Sequence, residues 1–127
     1  MNEREQAAGL PSTPGYRYVE EVGCELFVAG QVPHDREGRV VAPNDAKRQA
    51  KQCLANLVTL VALHGFEVRH IRHLRIYVAG DHATLIDAWA GVTGWFDDDV
   101  PPATLLGVTV LGHRGQLVEI DASVVRD

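Results

Sequence analysis

The sequence is short of most things that would give its function away. Its two cysteines, Cys24 and Cys53, stand far apart and form no CxxC pair. Cys53 falls on an apolar helical stripe, where a buried reduced thiol is expected, and nothing around Cys24 marks it as activated. No apolar run approaches the length that crosses a bilayer. The start, Met1-Asn2-Glu3-Arg4-Glu5, is polar and acidic where a secretory signal is basic and then apolar, so a cytoplasmic protein is expected. Positive charge is scarce: 12 Lys and Arg against 17 Asp and Glu give a net charge of −5. That balance disfavours nonspecific nucleic-acid binding, which needs basic surface to displace counterions. The densest basic cluster, Lys47, Arg48 and Lys51, reads as the solvated face of a helix and has no neighbouring aromatics on which bases could stack.

Catalytic signatures are missing as well. There is no HExxH, P-loop, GxGxxG or nucleophile elbow. Ser12, Thr93 and Ser123 have no adjacent histidine base in a recognisable pattern. Of the six histidines, His70 and His73 are three apart at a strand edge, so they point to opposite faces and chelate poorly. His34, His64, His82 and His113 fall in separate loops or helix ends and are expected to be surface or capping residues. The run Asp97-Asp98-Asp99 lacks the spaced ligands and closing glutamate of a calcium loop. No metal site is expected.

What is present is enough to build one domain. Hydrophobic residues make up 46% of the 127 and charged residues 23%. Residues 1–14, with Pro11-Ser12-Thr13-Pro14, read as a mobile lead-in, and residues 15–127 as a single domain. Residues 16–22 and 26–29 read as two strands turning at Gly23-Cys24, with residues 39–41 a further short strand. A helix starts at Asn44 or Asp45 as cap, runs through Ala46, Ala50, Cys53, Leu54, Leu57, Val58 and Val61 at helical spacing, and ends at Gly65. Residues 71–78 form a strand with Leu74, Ile76 and Val78 on one face and His73, Arg75 and Tyr77 on the other. A second helix follows the cap Asp81 and carries Leu85, Ala88, Trp89, Val92, Trp95 and Phe96; its Gly91 and Gly94 suggest close packing against a sheet. Residues 105–111 and 116–125 form two strands joined by a hairpin at Gly112-His113-Arg114-Gly115. The expected class is α+β, a mixed sheet with two helices packed on one face. Val108, Val110, Val118 and Ile120 are assigned to the other face, which a homo-oligomer would cover.

Several short pieces, weak singly, are specific in their order and spacing. They are Ala29-Gly30-Gln31, Gly38, residues 52–57 with Asn56, Gly65, Tyr77-Val78, Phe96 with Pro102-Ala103, and Val118-Glu119-Ile120. Together they resemble the Rid family, also called YjgF, RidA or L-PSP, from about Tyr16 to the C-terminus. The resemblance implies a chorismate-mutase-like fold and a homotrimer whose sheets line a central barrel, with small-molecule clefts between subunits. It implies no cofactor, and no nucleic-acid or membrane partner is expected. In the deaminating branch a cleft arginine holds the substrate carboxylate and a glutamate positions the attacking water. By resemblance Glu119 matches that glutamate and is the candidate catalytic residue, although an interface salt bridge would account for it too. Tyr16, Ala29, Gly30, Gln31, Ala103 and Thr104 are the candidate ligand-binding residues.

Thr104 stands where the deaminases have arginine, in Pro102-Ala103-Thr104 against their Pro-Ala-Arg. Thr104 and Glu119 are fifteen positions apart, the family spacing without a gap. Arginine grips a carboxylate with a planar, always-charged fork, whereas threonine offers one neutral hydroxyl. A hydrogen bond to a charged group is worth roughly 1.5–3 kcal/mol, so the exchange costs about one to two decades in affinity. Arg75 and Arg114 are the candidates to replace the charge, although a surface position accounts for each of them more simply. The expectation is a Rid-like protein that hydrolyses an imine, enamine or related metabolite without the usual carboxylate anchor. The alternative is a non-enzymatic binding or sensing protein on the same fold, with a ribonuclease disfavoured by the acidic charge.

Overall fold

The computed structural model describes residues 2–127; Met1, the first residue of the expected lead-in, lies outside them. The two long helices begin at acidic caps. Helix α2, Ala46–Leu63, starts where the Asp45 carboxylate accepts the Arg48 backbone N–H at 3.0 Å. Asn44, the other candidate cap, takes a left-handed turn torsion instead, φ 68°. Past the end of α2, Gly65 sits at φ 84°, a conformation that glycine adopts without strain. Helix α3, His82–Trp95, is capped by Asp81, which accepts the Thr84 N–H at 3.0 Å.

Strands β1 (Val19–Val22) and β2 (Glu25–Val28) form the expected hairpin around Gly23; β1 is shorter than expected, with residues 16–18 preceding it. Strand β3, Ile71–Ala79, leads through α3 into β4, Ala103–Val108, and β5, Val118–Val125, closes the chain. The sheet order is β1-β2-β5-β3-β4. Only β3 and β4 are parallel.

The expected hairpin at residues 112–115 is therefore absent, because β3 lies between β4 and β5. A strand delivered by a crossover helix docks parallel to the strand before it. Strand β4 takes one edge of β3, and residues 109–117 carry the chain across to the other. Gln49, buried on α2, fastens this crossing. It donates to the carbonyl oxygens of Ala42 and Gly115 and accepts the Leu117 N–H at 2.7 Å.

Both long helices cover one face of the sheet. Leu74, Ile76 and Val78 of β3, with Val118, Ile120 and Val124 of β5, pack against Cys53, Leu54, Leu57 and Val61 of α2 and Ala88 and Val92 of α3. Each large aliphatic buried here contributes about 1.5–3 kcal/mol. Val118 and Ile120 were expected on the opposite face, and strand alternation explains the reversal. Burying Val118, Ile120, Ala122 and Val124 turns Glu119, Asp121 and Ser123 outward. Of the four residues assigned to the open face, only Val108 has that register, opposite Ala79; Val110 lies past the end of β4 and is 76% exposed. The open face is polar at its centre, with Phe27 (52% exposed) on β2 and Leu106 on β4 flanking it.

Gly91 serves a helix contact, where a sheet contact was expected. A Cβ there would overlap the Lys47 carbonyl oxygen and lie 3.1 Å from Ala50 Cβ, so the glycine lets α3 close onto α2. Before β1, a short helix α1 (Glu3–Ala7) rests on α2. The Glu5 carboxylate meets His64 Nε2 at 2.6 Å, Leu10 is buried, and Tyr18 donates its hydroxyl to the Pro11 carbonyl. No helix among the described residues is long and apolar enough to cross a membrane.

Candidate functional site

Residues 29–31 follow β2 and fold back along β5. Gln31 and Ile120 exchange both backbone hydrogen bonds, which pins the loop to the middle of the strand. Gln31 is buried, and its side chain donates to the Ala29 carbonyl, so its amide shapes the loop from inside. Gly30 lies against Glu119. A Cβ on Gly30 would overlap Glu119 Oε2 and come within 2.9 Å of the carboxyl carbon. The other oxygen, Oε1, accepts from Gln116 Nε2 at 3.2 Å. Burial, and then the negative charge of Glu119, raise the pKa of the Tyr16 phenol. Tyr16, Gly30 and Glu119 thus converge at one place. Tyr16 and Ala29 also line a shallow groove of about 620 Å³ that runs over β1 and β2 beside Phe27.

Beneath Gly30 is a second, small polar cavity of about 20 Å³, room for one water. His34 and His113 line it, their rings packed edge to face at 4.6 Å. His34 Nε2 is buried without a hydrogen-bond partner. Burial, and then His113, lower the His34 pKa, with Asp35 opposing. Asn56 on α2 holds the loop from below by donating to the carbonyls of Val32 and His34.

Thr104 and Ala103 are elsewhere on the sheet. They open β4 and are exposed. Thr104 sits in register with Arg75, and Arg75 with Asp121, which makes one row across three strands of the open face. The Thr104 hydroxyl meets His73 Nε2 at 3.1 Å. The Arg75 guanidinium donates through Nε to Asp121 and through Nη1 to Ser123 and His73. Tyr77 donates to the second Asp121 oxygen at 3.2 Å. Arg114, the other candidate for the missing charge, lies in the crossing loop away from this row.

Glu119 belongs to the neighbouring row, opposite Tyr77. Two strand spacings across and two residues along put Glu119 and Thr104 about 12 Å apart within one chain. The structure therefore brings Tyr16, Ala29, Gly30 and Glu119 together and leaves Ala103 and Thr104 as a separate group on the same sheet. Cys53 lies under β5, its sulfur 3.6 Å from the Val118 carbonyl, and burial pushes its thiol pKa well up. Among the described residues no cluster of three or more His, Cys, Asp or Glu could hold a metal ion.

The endoribonuclease L-PSP family model matches residues 9–126, nearly the whole chain. The chain belongs to this family, the Rid or YjgF group. A RutC family protein of Sinorhizobium fredii is 30% identical over 111 residues, 86% of this chain and 85% of its own length. The crystal structure of the E. coli YjgF gene product superposes with a TM-score of 0.81 at 26% identity, covering 94% of this chain and 95% of that one. E. coli TdcF, solved with bound serine, shares the fold at a TM-score of 0.74 and 23% identity, covering 92% of each chain. This Rid chain carries its polar row in residues that sequence reading passed over as a set: His73, Asp121 and Ser123. The available signal was strand alternation, which already placed His73 and Arg75 opposite the core-facing Leu74 and Ile76.

Proposed function

We propose that this Rid-family chain binds a small, polar molecule in a cleft completed by a second subunit of a homotrimer with the chorismate-mutase-like fold. The observation that carries this is the Glu119 carboxylate, seated against Gly30 beside Tyr16. Glycine at position 30 leaves room for the carboxylate where any side chain would collide with it. Glu119 is held by one hydrogen bond from Gln116, which leaves acceptor capacity for a water. Such a carboxylate can take a proton from water as the oxygen adds to a C=N carbon.

The separation of Glu119 and Thr104 supports a cleft between subunits. Two half-sites about 12 Å apart on one sheet do not close on a small ligand unless a neighbouring copy supplies the opposite half. Exposed Phe27 and Leu106, flanking the polar centre, suit a covered face. In this reading the chain is a cytoplasmic enzyme of imine or enamine hydrolysis, weak or inactive on 2-aminoacrylate because Thr104 lacks the charge that would hold the carboxylate.

The test measures imine hydrolysis with and without semicarbazide competition, on neutral and carboxylate-bearing imines, and molar mass by light scattering. The expected result is a trimer that turns over a neutral imine, and a Glu119→Gln variant that stays trimeric with turnover reduced at least about a hundredfold, the lower range for general-base loss. A monomer would refute the shared cleft. A dissociated Glu119→Gln variant would make Glu119 an interface residue. Binding without turnover would favour the non-enzymatic reading, for which Thr104 in place of arginine is the supporting observation.

A further inference from the structure

In the cleft proposed above, on which this inference rests, the arginine absent from β4 has a counterpart one strand away. Arg75 stands in register with Thr104 on the parallel strand β3, on the same open face. Neighbouring strands lie about 4.8 Å apart, so the positive charge is displaced by about that much. The guanidinium is not available as a free cation. Its Nε donates to the Asp121 carboxylate, and Nη1 donates to Ser123 and lies 3.3 Å from His73 Nδ1. The Tyr77 hydroxyl also interacts with the guanidinium, so of its five N–H groups the two on Nη2 are the least engaged. Arg75 and Asp121 are 35% and 23% exposed at their side chains, so solvent or a ligand reaches the pair.

The charges on this part of the face are then few and can be followed. Arg75 is cancelled by Asp121, and Glu119 on the next row adds one negative charge. Tyr77 and Ser123 contribute hydroxyls, and His73 an imidazole bonded to Thr104. An incoming carboxylate would have to displace Asp121 from Arg75 or sit near two carboxylates with only half a guanidinium to hold it. A neutral carbonyl has neither difficulty. It accepts from Arg75 Nη2 while the Asp121 pair stays intact, and a carboxamide N–H finds acceptors in Asp121 or the Thr104 hydroxyl.

We infer that Asp121 sets the cleft against carboxylates, so that the ligand is anchored by a neutral group such as an amide, urea or ketone, through Arg75 and Thr104. Asp121 is a specificity-determining residue in this assignment. Thr104 and the Arg75–Asp121 pair together replace the single arginine that the deaminases have.

Pyruvate and pyruvamide make a matched pair of probes, the same ketone beside a carboxylate or a carboxamide. Titrated into the full-length protein with calorimetric or NMR detection, wild type is expected to hold pyruvamide at least about tenfold more tightly than pyruvate, the scale of one charged hydrogen bond. Asp121→Asn frees Arg75 without changing side-chain shape and is expected to tighten pyruvate by about tenfold or more. The double variant Arg75→Gln with Asp121→Asn should lose that gain. Asp121→Ser serves the same purpose if the asparagine variant does not fold. Wild type holding pyruvate as well as pyruvamide overturns the inference and leaves the cleft standing. So does a gain in Asp121→Asn that survives Arg75→Gln. If no variant binds either probe at millimolar concentration, the cleft reading fails and takes this inference with it.

Discussion

Replacing Gly30 by alanine separates the stability of the chain from the working of the site. The backbone at Gly30 is not left-handed, so alanine meets no torsional strain. Its Cβ does overlap Glu119 Oε2 and lies 2.9 Å from Cδ and 3.3 Å from Cγ. These atoms are the end of a flexible side chain, so the carboxylate swings away and the backbone stays. The swing breaks the 3.2 Å hydrogen bond from Gln116. A bond to a charged group is worth about 1.5–3 kcal/mol, part of which returns when water solvates the half-buried carboxylate. Alanine also stabilises by about 0.4–1 kcal/mol by narrowing the unfolded ensemble. The net loss is about 1 kcal/mol, a Tm lower by about 4 °C in a domain of this size. The site changes more. Tyr16 loses the nearby negative charge that helps raise its phenol pKa, so its titration moves toward the ordinary tyrosine value. Thermal melts and ultraviolet phenol titration of wild type and Gly30→Ala measure both quantities. A fall in Tm beyond about 12 °C, roughly 3 kcal/mol, would show that Gly30 packs against something less mobile than a side chain. An unmoved Tyr16 titration would show that the carboxylate does not sit where Glu119 is placed.

Two helical glycines three residues apart should respond with opposite signs. Gly91→Ala drives a Cβ into the Lys47 carbonyl oxygen and is expected to cost about 1–3 kcal/mol despite better helix propensity. Gly94→Ala meets nothing closer than Lys51 Cε at 3.7 Å and is expected to gain up to about 1 kcal/mol. Denaturant melts that rank the two the other way would overturn the described α2–α3 contact. Tyr18, buried and donating to Pro11, has its pKa pushed up to about 12, chiefly by burial. The unfolded chain ionises this phenol near pH 10 while the folded chain keeps it neutral, so stability should fall as pH rises from about 10 to 12. Tyr18→Phe should remove the last-titrating phenol, and a wild-type titration complete by pH 11 would contradict the burial.

The helices could be read from the chain because their signals are local. Asp45 and Asp81 cap within three residues of their partners, and the apolar periodicity of α2 decides which face is buried. The alternation of β3 was equally plain, since Leu74, Ile76 and Val78 differ in kind from His73, Arg75 and Tyr77. Strand order could not be read the same way. Residues 112–115 have the composition of a hairpin turn, and only the crossover made by α3, a non-local constraint, sends β5 to the far side of β3. Misplacing β5 also inverted its faces, so Val118 and Ile120 were assigned outward and the polar row with Asp121 went unseen. Within the site, the family likeness singled out Gly30 and Glu119. Their mutual contact joins positions 89 residues apart through the pairing of Gln31 with Ile120, which no short pattern encodes. Gln49 was missed although it interrupts an apolar stripe, a placement that marks a buried polar group needing partners.

The last strand of the chain occupies the middle of the sheet. During synthesis the β1–β2 hairpin and the β3-α3-β4 unit emerge first, but no strand joins them until β5 arrives. Its pairing of Val125 with Glu25 closes a loop of about a hundred residues, the slow kind of contact. A nascent chain stalled before residue 118 would hold two sheet fragments with four unpaired edges, open to pairing with other chains. The arrival of β5, more than any earlier event, is then the moment at which the two fragments lose their inner open edges.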